Sequence, residues 1–527
     1  MIINYNIDKN MNSDLNNVIK LKKNSINNLK YIIDDFLDKK NPIKYHNKYF
    51  NNNWNKHSDL IYKLFNNTSK ILIDIFNNTS EDNINKYKIM TKTWNNQYHE
   101  YPINYEYYQE SIQKIKYDIF CCDYYKRHIT INNINFLPYI CKYSNLNQSN
   151  DADILHILNF FQNGYFIDLD IKLYLENNIN SCEIYEFSHM KMHFFFSSTT
   201  DTKYKIKKIM HLYIVSKWIY LLFDGLGQQI NFVFFDTPLT KKISKSYDFL
   251  SCLNVNSGLS SSGKMLMIWR NEESLKVLIH ELIHYLDKDV KYDNDFDNII
   301  DFKLGNIDFP VLINETITEL QAQLFHTIYM SIVVDNTKTL SSKKIKADIS
   351  TFKTLYNYEQ IFSWYQFSKI MDFYSINKFK KEYLIKKFNQ SSNIFSYYIL
   401  KSILGIYFGD IIFKLEHINN IINDKINPWL FQTPNTPNTP NNFIGLTNDS
   451  NDSNDSNDSN DSNDSNDSND SNDSNKCDVY KCKKLVKYIR KIINKPPIKL
   501  INKVIKHLNI TDDSLKMTIF EIDFSLV

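Results

Sequence analysis

A chain of 527 residues, 43% hydrophobic and 15% aromatic, is long enough for about two to four domains and too apolar for a mainly disordered protein. Its formal net charge of +3 gives no overall sign of a nucleic-acid partner. Only three of the 62 Lys and Arg residues are Arg (Arg127, Arg270 and Arg490), while Asn, Ile, Tyr and Phe abound. These are residues of AT-rich codons, so runs of Lys and Asn carry little functional weight.

Taken in chain order, the N-terminal MIINYNIDKNMNSDLNN lacks the apolar stretch of a secretory signal. Residues 1–180 show short helical and strand-like patterns without defensible chemistry and are set apart as an N-terminal region of unknown role. The aromatic-rich CEIYEFSHMKMHFFFSS, from residue 181, predicts strand. KYKIKKIMHLYIVSKWIYLLFD predicts a helix ending before Gly225 and Gly227. Its most apolar part, 211–223, is thirteen residues long and contains Lys217, too short to cross a bilayer. INFVFFDTPL and KMLMIW read as buried strands and 272–288 as a helix. Four of the nine glycines (225, 227, 258 and 263) fall in this part, where tight turns would use them.

GLSSSGKM, 258–265, nearly fits the phosphate-binding loop G-x-x-x-x-G-K-[ST]. Met265 stands where the hydroxyl is needed, and a strand pattern follows where a helix is needed. The segment is read as a Gly/Ser turn into a strand. Residues 309–427 are mainly helical in pattern. TPNTPNTPNN and nine Asn-Asp-Ser triplets at 448–474 hold nothing to bury, so 431–476 is expected to be a disordered linker. Residues 477–527 carry six more basic than acidic side chains, read as a solvated helical face in preference to a nucleic-acid or membrane contact. The seven cysteines, odd in number and without a signal sequence, predict reduced thiols and an intracellular location. Cys477 and Cys482 have no second pair to complete a zinc finger.

The chemistry concentrates in VLIHELIHYL, 277–286. On a helix, His280 and His284 lie about 40° apart around the axis and about 6 Å along it, so both imidazoles can reach one tetrahedral Zn²⁺. Glu281 then points beside the metal, where a base for water belongs. Leu275, Leu278, Leu282 and Leu286 would anchor the helix in the core. Read by itself, the pattern also fits an ordinary core helix. Asp287 and Val290 occupy the positions where a metzincin needs Gly and His, which excludes that class. FPVLINETITELQAQLFHTIY, 309–329, has an apolar stripe of Ile313, Ile317, Leu320, Leu324 and Ile328, with Pro310 suited to its first turn. Glu315, Glu319, Ala322 and His326 share a second stripe. One Glu could bind zinc and another orient a histidine. His326 is about 16 Å along the axis from Glu315, too far to share the metal.

HELIH followed by INETITE resembles the gluzincin pattern of thermolysin-like zinc metallopeptidases. The resemblance covers about fifty residues and departs at Glu319, where thermolysin has Asp, and in a longer connection from His284 to Glu315. It implies His280, His284 and Glu315 as ligands of one Zn²⁺, Glu281 as general base and Glu319 as the acid that holds a ligand histidine. It further implies an α+β fold: a zincin-like core at 181–300, with a small mixed sheet, an edge strand and the HExxH helix, then a helical half at 301–430. KMLMIW is positioned as the edge strand to which a substrate peptide could add. A gluzincin also needs an oxyanion donor from the helical half, for which IFSYYILK offers Tyr397 and Tyr398. Arg270 could bind a substrate carboxylate, though a local ion pair suits it better. The expected activity is peptide-bond hydrolysis on a peptide or protein substrate, without a nucleic-acid partner. The alternative is an inactive zincin-scaffold binding or structural protein, against which the complete set of ligands, base and second acid weighs. The composition also resembles that of large DNA viruses or other AT-rich genomes, so the intracellular location expected is a host cytoplasm or virion if the source is viral.

Overall fold

The computed structural model describes residues 42–97, 142–144, 152–163, 167–290, 311–336, 345–425, 485–507 and 514–524, with breaks of at most five residues inside those spans. The 431–476 linker, Pro310 and most of the 287–308 connection lie outside the described residues. Among the described residues no helix is long and apolar enough to cross a membrane.

Helices surround a six-stranded mixed sheet. Its strands are β1 (Lys88–Thr93), β4 (Ser181–Phe187), β5 (Met190–Phe196), β6 (Ile230–Phe235), β7 (Gly258–Ser261) and β8 (Met265–Ile268). β2 (Asn95–Gln97) and β3 (Lys142–Ser144) pair separately. The spatial order is β1-β4-β5-β6-β8-β7. β5, β6 and β8 run parallel, and β4 and β1 on one side and β7 on the other are antiparallel to their neighbours. Side chains alternate between two covered faces, as the pleat requires. Met192, Phe194, Phe232, Phe234, Leu266 and Ile268 face the main core. Phe195, Val233, Phe235, Met267 and Trp269 face a second cluster under the helices Ala152–Asn163 and Leu169–Asn178.

The main-core face is covered by the helix Thr202–Leu222, started by the Asp201 side chain accepting from the Tyr204 amide at 2.8 Å, and by Ser274–Tyr285, hereafter the site helix. Ile313–Asp335, the long helix, packs on the site helix. Ile349–Phe373 and a π-helical turn, Phe395–Leu400, complete the helical half near the site.

Two features depart from the sequence expectation. KMLMIW is not the edge strand: β8 is interior, between β6 and β7, and the edge is β7, the Gly/Ser segment read as a turn. The second departure is in 477–527. The helix Ile498–His507 does bury Leu500, Ile501 and Val504 and expose Lys499 and Lys506, a solvated face as expected. Residues 514–524 do not: Leu515, Met517, Ile519, Phe520, Ile522 and Phe524 are buried. The described part of the first 180 residues is not isolated either, since β1 pairs with β4 and the helix Ser58–Asn77 packs on both Thr202–Leu222 and the long helix.

Candidate metal centre

The site helix is held by its apolar residues: Leu278, Ile279, Leu282 and Ile283 are wholly buried. That packing turns His280, Glu281 and His284 toward the long helix and β7. His280 Nε2 and His284 Nε2 lie 3.0 Å apart. Glu315 Oε2, from the first turn of the long helix, lies 3.5 Å from His280 Nε2 and 3.4 Å from His284 Nε2. Donors on a tetrahedral ion bound at ~2.0–2.2 Å stand about 3.3–3.6 Å apart, close to these separations. The residues present therefore fit a metal ion, and they form a candidate metal-binding triad.

Each imidazole is held from behind. His280 Nδ1 is 2.9 Å from Glu319 Oε1, one helical turn beyond Glu315. His284 Nδ1 is 2.7 Å from Asp289 Oδ2, whose other oxygen accepts from Thr318 Oγ1 at 3.2 Å. A carboxylate on Nδ1 sets the tautomer and leaves Nε2 for a cation. Glu319 is where the sequence resemblance placed it. Asp289 was missed. It reaches His284 because the site helix ends in a Schellman turn: Asp287 is left-handed at φ 56°, and the Lys288 and Asp287 amides donate to Ile283 O and His284 O at 2.9 and 3.0 Å. This reversal carries Asp289 back over the helix end. An aspartate can occupy the left-handed position that glycine usually fills.

Charge is strongly coupled across the triad. Burial pushes the His280 and His284 pKa values down, but neighbouring carboxylates outweigh it and raise both, Glu315 and Glu319 at His280, Glu315 and Asp289 at His284. Burial would raise Glu315 and Glu319, yet the histidines at Glu315, and Lys276, Lys401 and His280 at Glu319, hold both below the usual carboxylate range. Glu281 behaves oppositely: burial raises its pKa despite His280, His284 and a hydrogen bond from Ser260.

β7 runs against Glu281. A Cβ at Gly258 would stand 2.9 Å from Val277 Cγ1 and 3.0 Å from Glu281 Oε1. Gly258 serves close approach of strand to helix, not a tight turn. The outer edge of β7 has no strand partner among the described residues.

The two tyrosines part company. The Tyr397 hydroxyl donates to Glu315 Oε2 at 3.2 Å, and its ring meets His280 edge-on at 6.0 Å between centroids. Tyr398 is buried in the core, 1% exposed, with no hydrogen bond to its hydroxyl among the described residues. Arg270 is buried, donating from Nε to Asn256 O at 3.2 Å and lying 4.0 Å from Asp168, which is the local reading. His326 lies off the triad beside Thr518, its pKa lowered to about 3 by burial. Cys182 and Cys252 are free thiols; the other five cysteines lie outside the described residues.

Two histidines and a glutamate from two packed helices, each histidine backed by a carboxylate, make this a candidate metal centre on a mixed α and β scaffold. Compared with protein-family models, curated proteins and solved structures, the chain matches none.

Proposed function

We propose that the chain is a zinc-dependent metallopeptidase of gluzincin type, with His280, His284 and Glu315 as the ligands of one zinc. The observation that supports this best is the convergence of three donor atoms at 3.0–3.5 Å with a fourth group, Glu281, beside them and buried. Bound there, zinc supplies Lewis-acid polarisation of a peptide carbonyl and brings the pKa of a water to ~7.

The remaining work falls to the protein's own groups. Glu281 takes the proton of the attacking water and passes it to the leaving nitrogen; its raised pKa makes it able to hold that proton between the two events. Ser260 orients the Glu281 carboxyl by hydrogen bond. Tyr397, already at Glu315, is placed to donate to negative charge developing on the carbonyl oxygen. The free edge of β7 can take an extended peptide as an added strand, aligning it past Glu281. The triad is partly open, with His284 and Glu315 side chains 17% and 15% exposed, which leaves a way in for substrate.

Zinc content and peptide-library turnover, measured on Glu281→Gln and Glu315→Gln, test the reading. Glu281→Gln is expected to keep its zinc and lose ~10²–10⁴-fold in turnover. Glu315→Gln is expected to lose both together. Glu281→Gln cleaving as fast as wild type would sink the hydrolase. A wild-type chain that holds zinc and cleaves nothing would favour the inactive scaffold.

A further inference from the structure

Glu319 has two oxygens and uses them on opposite sides. Oε1 faces His280 Nδ1 at 2.9 Å. Oε2 is ion-paired with Lys276 and lies 3.5 Å from Lys401 Nζ. Lys276 and His280 are four residues apart on the site helix, neighbours on one face, so Glu319 lies across a single helical turn. Lys276 is wholly buried, and Lys401 and Glu319 are each 1% exposed. The 514–524 segment closes the group: Met517 Sδ is 3.3 Å from Lys276 Nζ, and Met517 O accepts from Lys401 at 3.0 Å. The Met517 and Thr518 amides donate to Glu273, the residue just before the site helix.

Two buried ammonium groups beside one carboxylate are an expensive way to fill a core, since apolar side chains of similar size are often at least as stabilising. The geometry suggests what the charges do. With only His280 to hold it, Glu319 could rotate about its side chain and leave Nδ1. With Oε2 fixed by Lys276 and Lys401, Oε1 stays on the imidazole.

We propose that Lys276 is a positioning residue of the metal centre: braced by Met517, it fixes the Glu319 carboxylate that fixes the His280 ring. This rests on the metal-centre reading above but not on peptidase turnover. Zinc affinity, read by competition with a chromophoric chelator, and the visible spectrum of the cobalt-loaded chain test it in the full-length protein. Lys276→Met is expected to lower zinc affinity ~10–100-fold, as losses behind a metal ligand do, and to alter the cobalt spectrum. Met517→Glu places a rival carboxylate against Lys276 and is expected to weaken zinc in the same direction without removing the lysine. Lys205→Met, which breaks a buried pair with Glu183 between the helix Thr202–Leu222 and β4, is expected to lower the melting temperature and leave zinc affinity unchanged. If Lys276→Met does not fold, Met517→Glu decides. The proposal is overturned if the folded variants bind zinc as tightly as wild type, or if Lys205→Met weakens zinc as much as they do. A wild type without zinc removes the metal centre and this proposal together; a wild type with zinc and no turnover removes only the peptidase.

Discussion

The two ends of the site helix are both crowded with ionisable groups, yet they are finished in opposite ways. At the amino end, Lys241 and Glu273 pair with side chains fully buried, and Lys276 pairs with Glu319 under the 514–524 segment. Positive and negative charges there answer each other inside the protein. Toward the carboxyl end, His280 Nε2, His284 Nε2 and Glu315 Oε2 converge within 3.5 Å of one another, and two of the three side chains reach solvent. The closed end satisfies its charges with protein groups and so contributes to fold and orientation. The open end holds donor atoms in the spacing a cation would choose, and so can bind.

That contrast can be broken by substitution. The largest effect is expected at the closed end. Lys241→Met leaves the buried Glu273 carboxylate without its cation, held only by the Met517 and Thr518 amides, and removing one partner of a buried pair typically costs ~3–5 kcal/mol; chemical denaturation should show it, and a loss below about 1 kcal/mol would mean that water reaches Glu273. Next comes the open end. Asp289→Ala removes the carboxylate behind His284 and is expected to weaken zinc ~10–100-fold with little change in zinc-free stability, because Asp289 is partly exposed. Equal zinc affinity in Asp289→Ala and wild type would remove Asp289 from the centre.

The smallest effect, taken per pH unit, is a slope that involves neither end directly. Glu359 accepts from the Ile519 amide at 3.2 Å and from Thr518, and burial pushes its carboxyl up to about 7 from an ordinary 4.5. Between those values the unfolded chain has released a proton that the folded chain keeps. Stability should therefore fall as pH rises from 4.5 to 7, by at most ~1.4 kcal/mol per pH unit. Glu359→Gln should flatten the slope in urea melts across that range; an unchanged slope would assign it elsewhere.

The triad was legible in sequence because both of its segments are helices and their polar residues recur at helical spacing. The spacing puts His280 with His284, and Glu315 with Glu319, on one face of each helix; that the two faces belong to one site was what the gluzincin resemblance implied. Asp289 was hidden because it acts through a left-handed residue outside the periodic stretch. β7 was hidden because Gly-Leu-Ser-Ser has none of the β-branched or aromatic enrichment that announces a strand; its pairing with β8 and its contact with the site helix make it one. Lys276 was hidden by composition, being one lysine in a lysine-rich chain. The 514–524 segment lacks any period, and its burial depends on partners as far as 244 and 245 residues away in sequence, at Glu273. Tyr397 and Tyr398 are adjacent and chemically identical, so only the π-helical turn decides which reaches Glu315.

The brace on Lys276 also sets a schedule. Met517 follows Lys276 by 241 residues, which at ~5–20 residues per second of synthesis is a delay of about 12–50 s. For most of that interval, once Glu319 has been added, a nascent chain contains both histidines, Glu281, Glu315 and Glu319 but not Met517. On the proposed reading, the surroundings of Glu319 are completed only when this distant part of the same chain arrives.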